Sequence, residues 1–221
     1  MTFSAILFDC DGVLVDSEPI SLKIMHTMLV ELGWQITEAE CKKWFVGQST
    51  KDDIKHIEKQ MGKKLDPDWI QTFLWYRNQA LRLQVVAVAG IYSCLKKIRK
   101  IWPTQIACVS AAEKSKVLLQ LDKLGLTDFF NGYIFSGVDT PYNKPYPDPY
   151  LAAASALGVS AEHCAIIEDS VIGISAGVAA GATVFAYCPA DEDPTPLLQA
   201  GAHATFQHMQ HLPDLLQGCA G

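Results

Sequence analysis

Phe8-Asp9-Cys10-Asp11-Gly12-Val13-Leu14 closes a short apolar run that begins at Phe3. Such a run reads as a buried strand of a parallel sheet. In open α/β sheets the chemistry sits just beyond the carboxyl ends of the strands. This strand ends in two carboxylates at i and i+2. Extended chain alternates its faces, so Asp9 and Asp11 point the same way, with Cα atoms roughly 6.6 Å apart. The gap suits a small bound group or a shared cation. Cys10 points to the opposite, packed face. Gly12 lets the chain turn sharply.

Working outward, residues 17–85 read as helix throughout. Ser17 is a good N-cap and Pro19 suits a first turn. Ile20, Ile24, Met25, Met28, Leu29 and Leu32 then recur at helical spacing up to Gly33. Thr37 opens a second helix in capping-box style, running to about Phe45. A third spans Asp52 to Met61, and a fourth starts at Asp66-Pro67 and reaches about Leu83. Its aromatic residues, Trp69 to Tyr76, read as packing. Beyond Ala89-Gly90 the pattern changes to strands alternating with helices. Strands are expected at 104–109, 133–135, 164–167, 182–187 and 205–206. That alternation implies a parallel sheet covered on both faces. The fold class is therefore α/β, a Rossmann-like parallel sheet core (1–16 and 86–221) with an inserted helical cap (17–85). The cap leaves and re-enters at two nearby linkers, around 14–18 and 84–90, and could open and close over the strand ends.

The chain has 221 residues, 49% of them hydrophobic, enough for a sizeable core. Its 18 basic and 24 acidic residues leave a net charge of −6, which argues against a nucleic-acid partner. The seven cysteines contain no Cys-x-x-Cys pair and read as reduced core residues. No apolar stretch approaches the roughly 20 residues of a membrane span. The first residues carry no basic segment, and their apolar run is too short for a signal peptide. A cytoplasmic protein with no membrane partner, monomeric or weakly dimeric, is expected.

Four polar clusters follow strands or their loops: Asp9/Asp11, Ser110, Lys144, and Glu168/Asp169. Each alone has a local explanation as a turn, a cap or a solvated charge. Brought into one crevice, they hold four carboxylates, a hydroxyl and an ammonium. Such a crowd of acids repels unless a cation joins it, and its all-oxygen donors suit Mg²⁺. A carboxylate beside the metal can attack phosphorus, while a second moves a proton to or from the leaving oxygen or water. Ser110 and adjacent amides can hold phosphate oxygens.

This set resembles the haloacid dehalogenase-like superfamily of phosphohydrolases over nearly the whole chain. The resemblance rests on Asp9-Cys10-Asp11-Gly12-Val13-Leu14, Val109-Ser110, Lys144-Pro145 and Ile167-Glu168-Asp169-Ser170. Val15-Asp16-Ser17-Glu18-Pro19 and the position of the insertion are similar to the branch of sugar-phosphate phosphatases and β-phosphoglucomutase. The resemblance implies an aspartyl-phosphate on Asp9, with Asp11 as general acid/base. It implies that Ser110 and Lys144 bind the phosphoryl group. Mg²⁺ would be held by Asp9, the Asp11 carbonyl and Asp169, with Glu168 assisting directly or through water. Ala111 follows Ser110 where many phosphatases carry Asn. The resembling mutases carry a His where this chain has Ser21, and the dehalogenases lack the acid present here as Asp11.

The expected substrate is a small phosphorylated metabolite, probed from the cap by Gly47, Gln48, Ser49, Lys51 and Arg77. A phosphosugar mutase stands as the alternative. So does a receiver-type phospho-accepting domain, which is shorter, has no insertion and uses a central rather than the first strand.

Overall fold

The computed structural model describes residues 3–46, 49–103 and 105–218. Among them, six parallel strands form a sheet in the order β5-β4-β1-β6-β7-β8. They are β1 (Ala5–Phe8), β4 (Ile106–Ser110), β5 (Ile134–Ser136), β6 (Cys164–Glu168), β7 (Thr183–Tyr187) and β8 (Ala204–Phe206). β1 is first in the chain yet central in the sheet. Centrality therefore does not separate this fold from a receiver-type domain; the helical insertion does. Thr104, expected to open a strand, lies outside the described residues.

Register follows from burial on both faces. Ile6 of β1 lies opposite Ile106 and Ala165, and all three join one core layer. Leu7 lies opposite Ala107 and Ile166, which join the other. Helices α5 (Ile91–Ile101), α6 (Lys114–Lys123) and α10 (Leu212–Gly218) cover the first face. Helices α7 (Asp148–Ala156), α8 (Val171–Ala179) and α9 (Thr195–Gln199) cover the second. With both faces covered, the strands read as near-continuous apolar runs. Phe8 is fully buried, so truncating it to Ala costs about 3–5 kcal/mol. A one-residue slip would turn every strand side chain to the wrong layer.

The insertion comprises α1 (Glu18–Glu31), α2 (Glu38–Phe45), α3 (Thr50–Met61) and α4 (Pro67–Gln84). These helices enclose their own apolar cluster, which includes Met25, Leu29, Phe45, Ile57 and Phe73. Thr37 and Glu40 form the expected capping box. α3 begins two residues before the expected Asp52, because the Ser49 hydroxyl caps it by accepting from the Asp52 amide. Trp69 stacks on Phe73, as packing requires, whereas Trp75 and Tyr76 are exposed. The two linkers pair as a short antiparallel ladder of β2 (Val15–Asp16) and β3 (Val86–Ala87), too short to be legible as strands. Leu81 and Val85, at the end of α4, are buried in the core layer of the sheet.

Candidate active site

β1 is hydrogen-bonded to both β4 and β6, so the ends of these three strands converge on one cavity of about 780 Å³, counting solvent at its mouth. Asp9, Asp11, Ser110, Ala111, Lys144, Glu168 and Asp169 all line it.

Lys144 is the electrostatic centre of the floor. Its side chain is 2% exposed and donates to Asp9 Oδ1 at 2.6 Å, Glu168 Oε1 at 2.7 Å and the Val109 carbonyl at 2.9 Å. The ammonium also stands 4.7 Å from the centre of the Tyr150 ring. Asn143 ties the Lys144 loop to the end of β4: its amide donates to the Ala111 carbonyl at 2.8 Å, and its carbonyl accepts from the Lys144 amide at 2.8 Å. Glu168 anchors the other side. Its Oε1 also accepts from the Tyr150 hydroxyl, and its Oε2 accepts from the Asp169 and Ser170 amides and the Ser170 hydroxyl. Burial opposes charge on Glu168, but Lys144 and these donors hold its pKa below the usual value.

Asp9 is pushed up to about 8, chiefly by burial and then by the Glu168 and Asp11 charges, against the pull of Lys144. Asp169 is driven well above the ordinary range by burial and by Glu18, Glu168 and Asp9. One ammonium is thus shared among too many acids. Asp9, Glu168 and Asp169 each offer a carboxylate oxygen within 4.8 Å of the others. Gly12, at φ +81°, makes room for this cluster, since a Cβ there would stand 1.8 Å from Asp169 Oδ2. Surplus buried negative charge, an all-oxygen donor set and a cradle only glycine permits all fit a hard divalent cation.

The Asp11 carboxylate stands apart from that cluster. Its Oδ1 accepts from Lys116 at 2.8 Å, from Gln120 at 3.0 Å and from the Ser17 hydroxyl, and its Oδ2 accepts from Ser110 at 3.4 Å. Burial opposes ionisation, yet Lys116, Gln120 and Ser17 outweigh it and hold Asp11 at about 2. Ser17 is a correction: it stands at the N-cap position of α1 but makes no side-chain cap bond, serving Asp11 instead.

The insertion forms the roof. Arg77 is buried and lines the cavity, but its guanidinium is already engaged. It donates to Thr50 Oγ1 at 3.0 Å, to Asn78 Oδ1 at 3.2 Å and to Glu113 Oε2 at 3.4 Å. Lys51 is exposed and outside the cavity lining; Thr50 and Asp53, three apart on α3, face inward, and Lys51 is turned about 100° from Thr50. Ser49 is buried as the cap of α3, with its hydroxyl on Asp52 Oδ2 at 2.7 Å, and does not line the cavity. Gly47 and Gln48 lie outside the described residues. Lys116, Gln120, Tyr150 and Asp53 were not expected. For Lys116 and Gln120 a signal existed: they lie four apart, flanking Val117 and Leu121 on the buried face of α6.

Residues 6–187 match the family of haloacid dehalogenase-like hydrolases. The chain belongs to that family. This hydrolase is 32% identical over 214 residues to 6-phosphogluconate phosphatase of Escherichia coli, covering 96% of this chain and 93% of that one. A haloacid dehalogenase-like protein of unknown function from Agrobacterium tumefaciens superposes with a TM-score of 0.83 at 30% identity, covering 99% and 100% of the two chains. A family hydrolase from Deinococcus radiodurans, solved with bound phosphate and sodium, superposes with a TM-score of 0.79 at 31% identity, covering 99% and 96%. The haloacid dehalogenase-like hydrolase described here is accordingly a phosphoric monoester hydrolase. Among its described residues no helix is long and apolar enough to cross a membrane.

Proposed function

We propose that this enzyme is a Mg²⁺-dependent phosphatase that hydrolyses the phosphate monoester of a small sugar or sugar-derived metabolite by way of a phosphoryl group carried on Asp9. The observation that supports it is the convergence of Asp9, Asp11, Ser110 and Asp169 from three strand ends, and of Lys144 from a loop, on one cavity. The relative named 6-phosphogluconate phosphatase supports the substrate class.

A carboxylate oxygen of Asp9 attacks phosphorus, and the bond from phosphorus to the sugar oxygen breaks. Asp11 delivers the proton that oxygen needs. In the second half Asp11 takes a proton from water, which attacks the aspartyl-phosphate, releases inorganic phosphate and restores Asp9. Lys116, Gln120 and Ser17 keep Asp11 ionised, the form the second half requires. To protonate the leaving oxygen Asp11 must leave Lys116 and first take up a proton from solvent, which the water of the second half replaces. Lys144 and Ser110 hold phosphoryl oxygens, and the Ala111 segment contributes backbone contacts. Asp9, the Asp11 carbonyl and Asp169 would hold Mg²⁺, with Glu168 assisting directly or through water. When bound, the ion supplies the positive charge that lets an anionic phosphoryl group approach a carboxylate. Residues 17–85 act as a cap that shields the reaction from water; 1–16 and 86–221 form the core.

Phosphate release from a panel of sugar phosphates tests the reading. Turnover is expected with Mg²⁺, to be lost on chelation and to fall by at least about 10³-fold in Asp9→Asn. Phosphate release undiminished by that substitution refutes it. Isomerised sugar phosphate without net release would instead indicate a mutase.

A further inference from the structure

Asp53 presents an unpaired buried acceptor to the cavity from α3. Its side chain lines the cavity, the residue is 8% exposed, and its Oδ1 has no hydrogen-bond partner. Folded proteins pair nearly all such atoms, because an unmatched one bears its full desolvation cost. The neighbouring cation of the roof does not answer it: Arg77 directs its hydrogen bonds to Thr50, Asn78 and Glu113. The roof thus carries one matched cation and one unmatched carboxyl group. Ser21, on α1, lines the same cavity, and its buried hydroxyl oxygen also lacks a partner. An acceptor and a hydroxyl of the inserted helices are left open to the cavity.

We propose that Asp53 sets substrate choice: the end of the substrate remote from its phosphate is uncharged and hydroxyl-bearing, and a carboxylate or second phosphate there is rejected. This rests on the phosphatase reading above and narrows it. A hydroxyl can donate to the Asp53 carboxylate and exchange hydrogen bonds with Ser21. A substrate carboxylate has no hydrogen to donate and sets like charges face to face in a buried site. Burial, the largest influence, pushes Asp53 up to about 8; Lys116 and Arg77 pull it down, and Asp52 and Glu113 raise it. A hydroxyl serves either protonation form, whereas an anionic end is compatible only with the protonated one. The preference therefore departs from the substrate in the name of the E. coli relative, a sugar acid.

The test uses the whole enzyme with Mg²⁺ at pH 8.5 and two probes that differ only at carbon 1. Glucitol 6-phosphate carries a hydroxymethyl group there, and 6-phosphogluconate a carboxylate. The expected wild-type preference in kcat/KM for the first is about 100-fold, the size of a lost hydrogen bond to a charged group. Asp53→Asn, which can donate to a carboxylate, is expected to shrink that ratio by about 10-fold or more, mainly through KM. A wild-type ratio below about 10, or a ratio unmoved by a folded Asp53→Asn protein, overturns the inference. Should that variant not fold, Asp53→Ser replaces it and the wild-type ratio stands as the deciding value. Failure to turn over either probe, or acetyl phosphate, refutes the phosphatase reading instead.

Discussion

Replacing Lys116 with Met removes the principal cation from Asp11 while keeping most of the side chain's volume. Asp11 is held at about 2 against an ordinary value of 3.8. The difference, 3.8 − 2, is about 1.8 units, or about 2.5 kcal/mol for all its donors together. The Asp11 side chain is 18% exposed, so solvent screening takes only a small share of this. Gln120 and Ser17 remain in the variant, so the loss assigned to Lys116 is about 1–2 kcal/mol. For a chain of this size that lowers Tm by about 3–6 °C at pH 7. The sign with pH follows from the depressed value. The stabilisation is present above the unfolded carboxylate's range and is lost as pH falls through about 2. Urea unfolding at pH 7 and pH 3 should show the gap between wild type and Lys116→Met falling by about a fifth to a third at the lower pH. An equal gap at both pH values would refute the assignment of Lys116 to Asp11, as would no gap at pH 7.

Two further perturbations probe the floor of the cavity. Lys144→Met leaves Asp9 and Glu168 buried without their shared ammonium and should cost about 3–5 kcal/mol in the metal-free protein, read by urea unfolding. A carboxylate raised in the folded state stabilises at low pH and loses that contribution as pH rises through its folded value, about 8 for Asp9 even with Lys144 in place. The Tm of this variant should therefore climb between pH 8 and pH 5. Gly12→Ala forces a methyl group onto Asp169 from a left-handed backbone. It should cost about 1–2 kcal/mol in strain and raise the Mg²⁺ concentration for half-maximal phosphate release by about 10-fold or more, measured by metal titration.

The strand ends were legible because their chemistry is written locally. Asp9 closes an apolar run, Glu168-Asp169 closes another, and burial on both faces leaves few registers that keep Ile6, Ile106 and Ala165 together. Lys144 was legible by order alone, its role set by a loop that Asn143 pins to β4. What surrounds Asp11 was carried only by the spacing of Lys116 and Gln120 on α6. Lys116 and Gln120 lie 105 and 109 residues away, and a lysine in the stretch Lys114-Ser115-Lys116 looks like a solvated one. Ser17 looked like a helix cap because its position suits one; the hydroxyl answers the stronger acceptor. Lys51 drew notice for its charge, but the phase of α3 turns it outward and brings in Asp53, a residue that resembles any acidic first-turn position.

The helical insertion departs and returns on neighbouring rungs, Val15 against Ala87 and Asp16 against Val86. Antiparallel partners stand about 4.5–5.5 Å apart whatever lies beyond them. The sheet therefore imposes no length on what it carries, only that both ends meet at one socket. What hangs from that socket can therefore change in length or sequence while the two rungs that hold it stay as they are.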